Sequence, residues 1–279
     1  MNDATRLLLI TGLGLAAMIG AILGLQRSVG LRVGLQPMVA ALRAVIQLAG
    51  LALILQGVFT YPWLAVAMLA VMMTVASLTS GRRLKILPYG TCAAAVGIVA
   101  AASATIAIIF VLQLMPLTVS NFIAIGGIIT GNSMSAATLT GRRFLASSQT
   151  QRGEIEAWFA LGARPRRAFA QVSRTAIEEM LLPTIDQTKS TGLVTMPGAF
   201  VGALIGGASP VEAARFQVVV LVAIMLAQTI CGIIVTRILS RATVVVSEQG
   251  SVAGADETSP DAQADLESRA RRHTAKEST

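Results

Sequence analysis

Seven apolar runs follow one another along the chain, at about 5–26, 36–58, 61–80, 89–114, 117–140, 180–206 and 213–238. Each is long enough to cross a hydrocarbon core of about 30 Å as a helix. This succession leaves few folds open. In lipid every backbone polar group must be bonded within the protein, so only helices and closed barrels span a bilayer. A barrel strand needs only about 9–11 residues, so runs of this length read as helices. Composition agrees: 54% of the 279 residues are hydrophobic, 13% are charged and the mean hydropathy is +0.71. Soluble domains have about 25% charged residues. The expected fold is an all-α integral membrane protein of about seven transmembrane helices, multi-pass in the cell (plasma or inner) membrane.

The first run, uninterrupted from Leu7 to Leu25, exceeds the 7–15 residues of a signal-peptide core and is expected to stay as a span. Cations in the connections set the orientation. Arg27 and Arg32, then Arg82, Arg83 and Lys85, then seven arginines from Arg142 to Arg174, then Arg237 and Arg241 fall on one side, against Arg6 and Arg215 on the other. The positive-inside rule puts the first set in the cytoplasm. The N-terminus is then outside and the C-terminus cytoplasmic. The basic balance, net +8, therefore reads as topology and not as a nucleic-acid surface. A transmembrane domain is expected over 1–243. The Ser-, Asp- and Glu-rich tail, 244–279, is too polar to pack and is expected to be disordered.

Several chemistries drop out. Cys92 and Cys231 lie in separate apolar runs and form no motif. The one histidine, His273, is in the tail, which leaves no histidine cage for a metal in the membrane part. No GxxxxGK[ST] loop and no HExxH occurs. The chain is expected to bind no cofactor and to be no enzyme.

The segment 151–172, QRGEIEAWFALGARPRRAFAQV, places Ile155, Trp158, Phe159, Ala168, Phe169 and Val172 at spacings of three and four. Glu154, Glu156, Arg164, Arg166 and Arg167 fall opposite, and Gly162 and Pro165 interrupt the run. That pattern predicts a short amphipathic helix, a turn, and a second helix leading into the membrane. Such a helix lies on lipid or docks a cytosolic protein; its acidic start disfavours anionic headgroups.

Glu156-Ala157 followed by Gly162 resembles the coupling loop of ABC transporter permeases. With GGIITGNSMSAATL (126–139), EIEAWFALGA (154–163) and LLPTIDQTKSTGLVTMPGAFVGALIGGASPVEA (181–213), residues 5–240 are similar to the Fet-type (FetB-like) iron-export ABC permease family. Met196 stands where that family commonly has leucine before Pro197-Gly198. The resemblance implies a separate cytosolic ATPase subunit that binds and hydrolyses ATP, a homodimer of permeases in membrane lipid, and export of iron or a related metal. It assigns ATPase coupling to about 151–164, with Glu154, Glu156, Ala157, Trp158, Phe159 and Gly162 as the contact residues.

In the sixth run, Asp186 and Lys189 are three apart and share a helix face. Charges at membrane depth are costly and turn to the bundle or to water. Pro183 and Pro197-Gly198 are expected to break this helix, and broken polar helices line transport sites. A shallow structural ion pair explains the same charges. Asn132 and Ser133 in the fifth run, with Gln187, complete the candidate pathway, and helix packing accounts for the small polar residues equally well. Metal ligands cannot be assigned: Asp186, Gln187, Asn132 and Ser133 offer oxygens, Met134 and Met196 sulfur. Glu178 and Glu179, beside Arg174, read as a local salt-bridge network. Two other functions fit the residues: a non-transporting adaptor or sensor that recruits a cytosolic partner, and a permease for another small solute.

Overall fold

The computed structural model describes residues 3–31 and 34–242, so the tail expected to be disordered lies outside the described residues. Among the described residues ten helices form: α1 (Asp3–Ser28), α2 (Gln36–Thr60), α3 (Trp63–Arg83), α4 (Gly90–Val111), α5 (Val119–Thr150), α6 (Arg152–Ala160), α7 (Pro165–Ala168), α8 (Ala170–Ser190), α9 (Gly198–Ile205) and α10 (Pro210–Leu239). Six of them, α1 to α5 and α10, are long and apolar enough to cross a membrane.

The described residues fall into two compact units, one up to Val66 and one from Ala67 onward. In the first unit α1 touches α2, and exposed apolar side chains on the two helices include Leu13, Met18, Leu42 and Ile46. Helices apolar all round have lipid as their solvent.

In the second unit α10 is the central helix, packed against α4, α5, α8 and α9. Small residues make this possible. Ala93, Ala94, Ala101, Ala137, Ala176 and Ala227 are fully buried, and a Cβ on Gly97 would fall 2.8 Å from Val235. Membrane helices gain their association from such close packing and not from expulsion of water. One apolar cluster gathers Leu84, Phe144, Phe169 and Val235 at one end of the bundle. A second gathers Leu69, Ile109, Ile125 and Ile129 toward the other.

The first of these ends carries Arg82, Arg83, Lys85, Arg142, Arg143 and Arg237 on the helix ends that meet there. At the other end, Arg215 donates to the Leu114 carbonyl (3.2 Å). The positive-inside rule places the cation-rich end in the cytoplasm. Arg215 and Arg237 are about 33 Å apart along α10, close to the thickness of a hydrocarbon core. α10 starts where it does because Ser209 and Glu212 form a capping box: Ser209 Oγ accepts from the Glu212 N–H (3.3 Å) and Glu212 Oε2 from the Ser209 N–H (3.0 Å).

Two elements depart from the sequence reading. α5 was expected to end near 140 and runs to Thr150, about 48 Å in all. Residues 141–150 are too polar for a span but contain no breaker. Phe144 and Ser148 are buried, so packing carries the helix out of the bilayer. The run at 180–206 is a composite: α8 begins ten residues earlier, at Ala170, and Pro183 lies inside it without ending it. The expected break at Pro183 is corrected. A proline removes one ladder bond, a local cost that the packing of α8 on α5 and α10 offsets. The real interruption is 191–197, between Thr191, which caps α8, and Pro197, the N-cap of α9. The composite still traverses the bundle. Ser173 Oγ lies 3.1 Å from Ser240 Oγ at the foot of α10, and α9 ends at Ile205, five residues before α10 starts.

Gly90 opens α4 where the chain turns back on itself. A Cβ there would sit 2.0 Å from the Leu84 carbonyl oxygen, a backbone atom that cannot swing away. Gly90→Ala is expected to cost at least about 3 kcal/mol and to lower the melting temperature in detergent by roughly 5 °C or more. An unchanged melting curve would show that this turn yields.

Candidate functional site

Two regions carry the residues that the sequence singles out. The first is the cytoplasmic cap made by α6 and α7. Ile155 is buried, Trp158 and Phe159 are half-buried, and Ala168, Phe169 and Val172 are buried. Phe169 is the joint of this cap. Its ring packs on Phe144 of α5 (centroids 5.4 Å) and edge-on against Phe159 of α6 (6.0 Å). Arg167 lies over the Trp158 ring at 5.1 Å. The apolar side of α6 is thus spent on the protein's own core and is not available to lie on lipid. Glu154, Glu156 and Ala157 are left facing outward, with Leu161 80% exposed at the tip. Glu156 Oε1 accepts from Arg152 Nε (2.6 Å), one turn back.

Gly162 has a structural reason. It has φ +74 and ends α6 in a Schellman motif: its N–H bonds the Phe159 carbonyl (2.9 Å) and the Ala163 N–H bonds that of Trp158 (3.0 Å). Pro165 then starts α7. A side chain in the left-handed region costs about 1–2 kcal/mol. Gly162→Val is expected to speed tryptic cleavage after the exposed Arg166 and Arg167 by roughly tenfold, the equivalent of about 1.4 kcal/mol in local opening. Cleavage at the wild-type rate would mean that the motif does not hold the cap closed.

The second region is α8 and the turn after it. A Cβ on Gly232 would fall 3.0 Å from Met180 Cε and 3.3 Å from Ile177 Cγ1, which fixes the level of α8 against α10. Asp186 lies about 9 Å further along. That brings it level with about residue 226 of α10, midway between Arg215 and Arg237. The pair is therefore deep and not a shallow, snorkelling one. Asp186 Oδ1 accepts from Lys189 Nζ at 3.4 Å, and both side chains stay open, at 68% and 73% exposure. Each charge at that depth costs about 2.5–3.5 kcal/mol on insertion scales, so this face does not rest against lipid. Gln187, Pro183 and Gly198 are exposed beside it and Pro197 is half-buried.

With this geometry in place, the comparisons decide the family. The chain matches the uncharacterised protein family UPF0014 over residues 10–244. It belongs to that family. The UPF0014 membrane protein STAR2 of Oryza sativa subsp. japonica is 38% identical over 200 residues, 71% of this chain and 70% of the relative. The protein ALUMINUM SENSITIVE 3 of Arabidopsis thaliana is 34% identical over 68% of this chain and 71% of its own length. The probable iron export permease protein FetB of Escherichia coli (strain K12) is 30% identical over 64% and 70%. No solved structure matches.

Within this UPF0014 protein the candidate pathway residues are not all on one surface. Asn132 is half-buried and donates from Nδ2 to the Ile128 carbonyl of its own helix (2.9 Å). Ser133 is fully buried, and its carbonyl lies 3.4 Å from Cys231 Sγ of α10. Asp186, Gln187 and Lys189 are open. The carboxylate expected beside Arg174 reaches elsewhere: Glu179 pairs with Arg143 Nε of α5 at 3.1 Å. Among the described residues, no group of three or more His, Cys, Asp or Glu stands close enough to hold a metal ion. Sequence reasoning missed Phe169 as the joint between cap and bundle, although its spacing from Phe159 and Val172 marked it as apolar core.

Proposed function

We propose that this protein is the permease subunit of an ABC transporter, that it docks a separate cytosolic ATPase through α6, and that it exports iron or a related metal ion. One observation carries the docking: α6 is anchored by its apolar side yet presents Glu154, Glu156, Ala157 and Leu161 outward, beyond the membrane. A helix held this way transmits a push. Movement of α6 reaches α5 and α8 through Phe159, Phe169 and Phe144, and α8 carries the charged face at mid-depth.

The cargo rests on less. The relative named as a probable iron export permease supports a metal ion, and one carboxylate among amide and hydroxyl oxygens suits brief, weak contact with a hard or borderline cation. Transport needs transient binding, not a cage. Two copies would enclose the route, and ATP would be bound and hydrolysed only in the partner. The test is reconstitution with the ATPase in vesicles: ATP-dependent movement of ferrous iron is expected. ATP hydrolysis without movement of any divalent metal would remove the cargo assignment and leave the docking.

A further inference from the structure

We infer that two copies of this chain meet along α8 and the 191–197 turn, with Asp186 of each pairing with Lys189 of the partner subunit. The inference deepens the transport reading of this face by naming what closes it. Two observations and one principle converge. The face lies level with about residue 226 of α10, midway between Arg215 and Arg237, and carries one anion and one cation that are mostly open, at 68% and 73% exposure. The irregular turn beside it adds Leu193 at 91%, Val194 at 83% and Met196 at 76% exposure. Non-helical backbone at such depth persists only against protein or in a water-filled cavity.

The covering surface must therefore be apolar around a small patch that answers both charges. A second copy supplies this by symmetry. A two-fold axis along the membrane normal sets each residue against its own counterpart at the same depth, a self-complementary interface. Lys189 lies about 4.5 Å above Asp186 along α8, within reach of a lysine side chain. Asp186 and Lys189 of the two subunits then form a closed, neutral ring of four charges, framed by Leu182 and Leu193. Opening that ring opens the route between the copies.

The test uses the full-length chain in native membranes, with the exposed thiol Cys92 changed to Ser. Leu193→Cys is expected to give an oxidative cross-link at twice the subunit mass. Val222→Cys, on an exposed face of α10, is expected to give none. In the Leu193→Cys background, D186K and K189D each make the patch single-signed and should cut the cross-link at least tenfold. Co-expressed with different tags, they should cross-link to each other at the starting level, which a pair confined to one helix cannot explain. Should the charge variants fail to reach the membrane, Leu193→Cys alone decides. A cross-link to another protein, free labelling by a water-soluble maleimide without cross-linking, or undiminished cross-linking in D186K would overturn the inference. The cross-link reads contact between two permease copies and not the ATPase, so its failure leaves the docking of α6 untouched.

Discussion

Asp186→Ala is expected to reduce ATP-dependent metal export at least about 100-fold while the protein still inserts and still carries its ATPase. The substitution removes the carboxylate that Lys189 meets at 3.4 Å on this open face. The pair is exposed, so its loss costs folding little; what is lost is the one carboxylate that a passing cation would meet there, and a hundredfold in rate corresponds to about 2.7 kcal/mol in the barrier. The ATPase is expected to remain because α6 packs on Phe169 at the cytoplasmic start of α8, about 25 Å along that helix from the charged face. Export measured in inverted vesicles checks this, with ATPase content read from the same vesicles. Unchanged export would reduce Asp186 to a structural ion; loss of the ATPase as well would mean that the substitution collapses the bundle.

Glu156→Lys is the second large effect, and it acts at the other end. It puts a cation where Glu156 now meets Arg152, on the outward side of α6. An exposed ion pair contributes only about 0.2–1 kcal/mol to folding, and Ile155 keeps α6 anchored, so the amount of protein in the membrane should hold. A docking surface responds differently. Reversing a charge at a specific interface costs several kcal/mol, so recovery of the ATPase should fall by roughly a hundredfold or more. Normal recovery in this variant would show that the ATPase is held by another part of the cytoplasmic surface.

The sequence carried the membrane fold and the amphipathic character of α6, because both are written in hydropathy and spacing. Ile155 falls inside and Glu154 and Glu156 outside, as their positions require. Gly162 is legible as the break in the amphipathic run, but the left-handed cap that it forms on α6 is a backbone property that spacing does not display. The depth of Asp186 was not legible. A span beginning near 180 leaves it two turns from the cytoplasm, whereas α8 starts at Ala170, about 24 Å along the helix from Asp186. Residues 170–179 are too polar to look like part of a span, yet Val172, Ala176 and Met180 bury one stripe against the bundle. Pro183 misled in the opposite direction: a missing N–H is a local cost, and tertiary contacts on α5 and α10 outweigh it. Partners of charged residues were also beyond sequence, since Arg143 reaches Glu179 across helices that lie 36 residues apart in the chain. The division at Val66 left no signal in composition, because α2 and α3 are equally apolar.

The central claim is that α6 docks a cytosolic ATPase. It is tested most directly by tagging the full-length protein, extracting it gently from its native membranes and identifying by mass spectrometry what comes with it. The account predicts a cytosolic ATPase in equal amount to the permease, present with wild type and absent with Glu156→Lys. Intact membrane protein recovered with no ATPase under conditions that preserve other ABC complexes would contradict it.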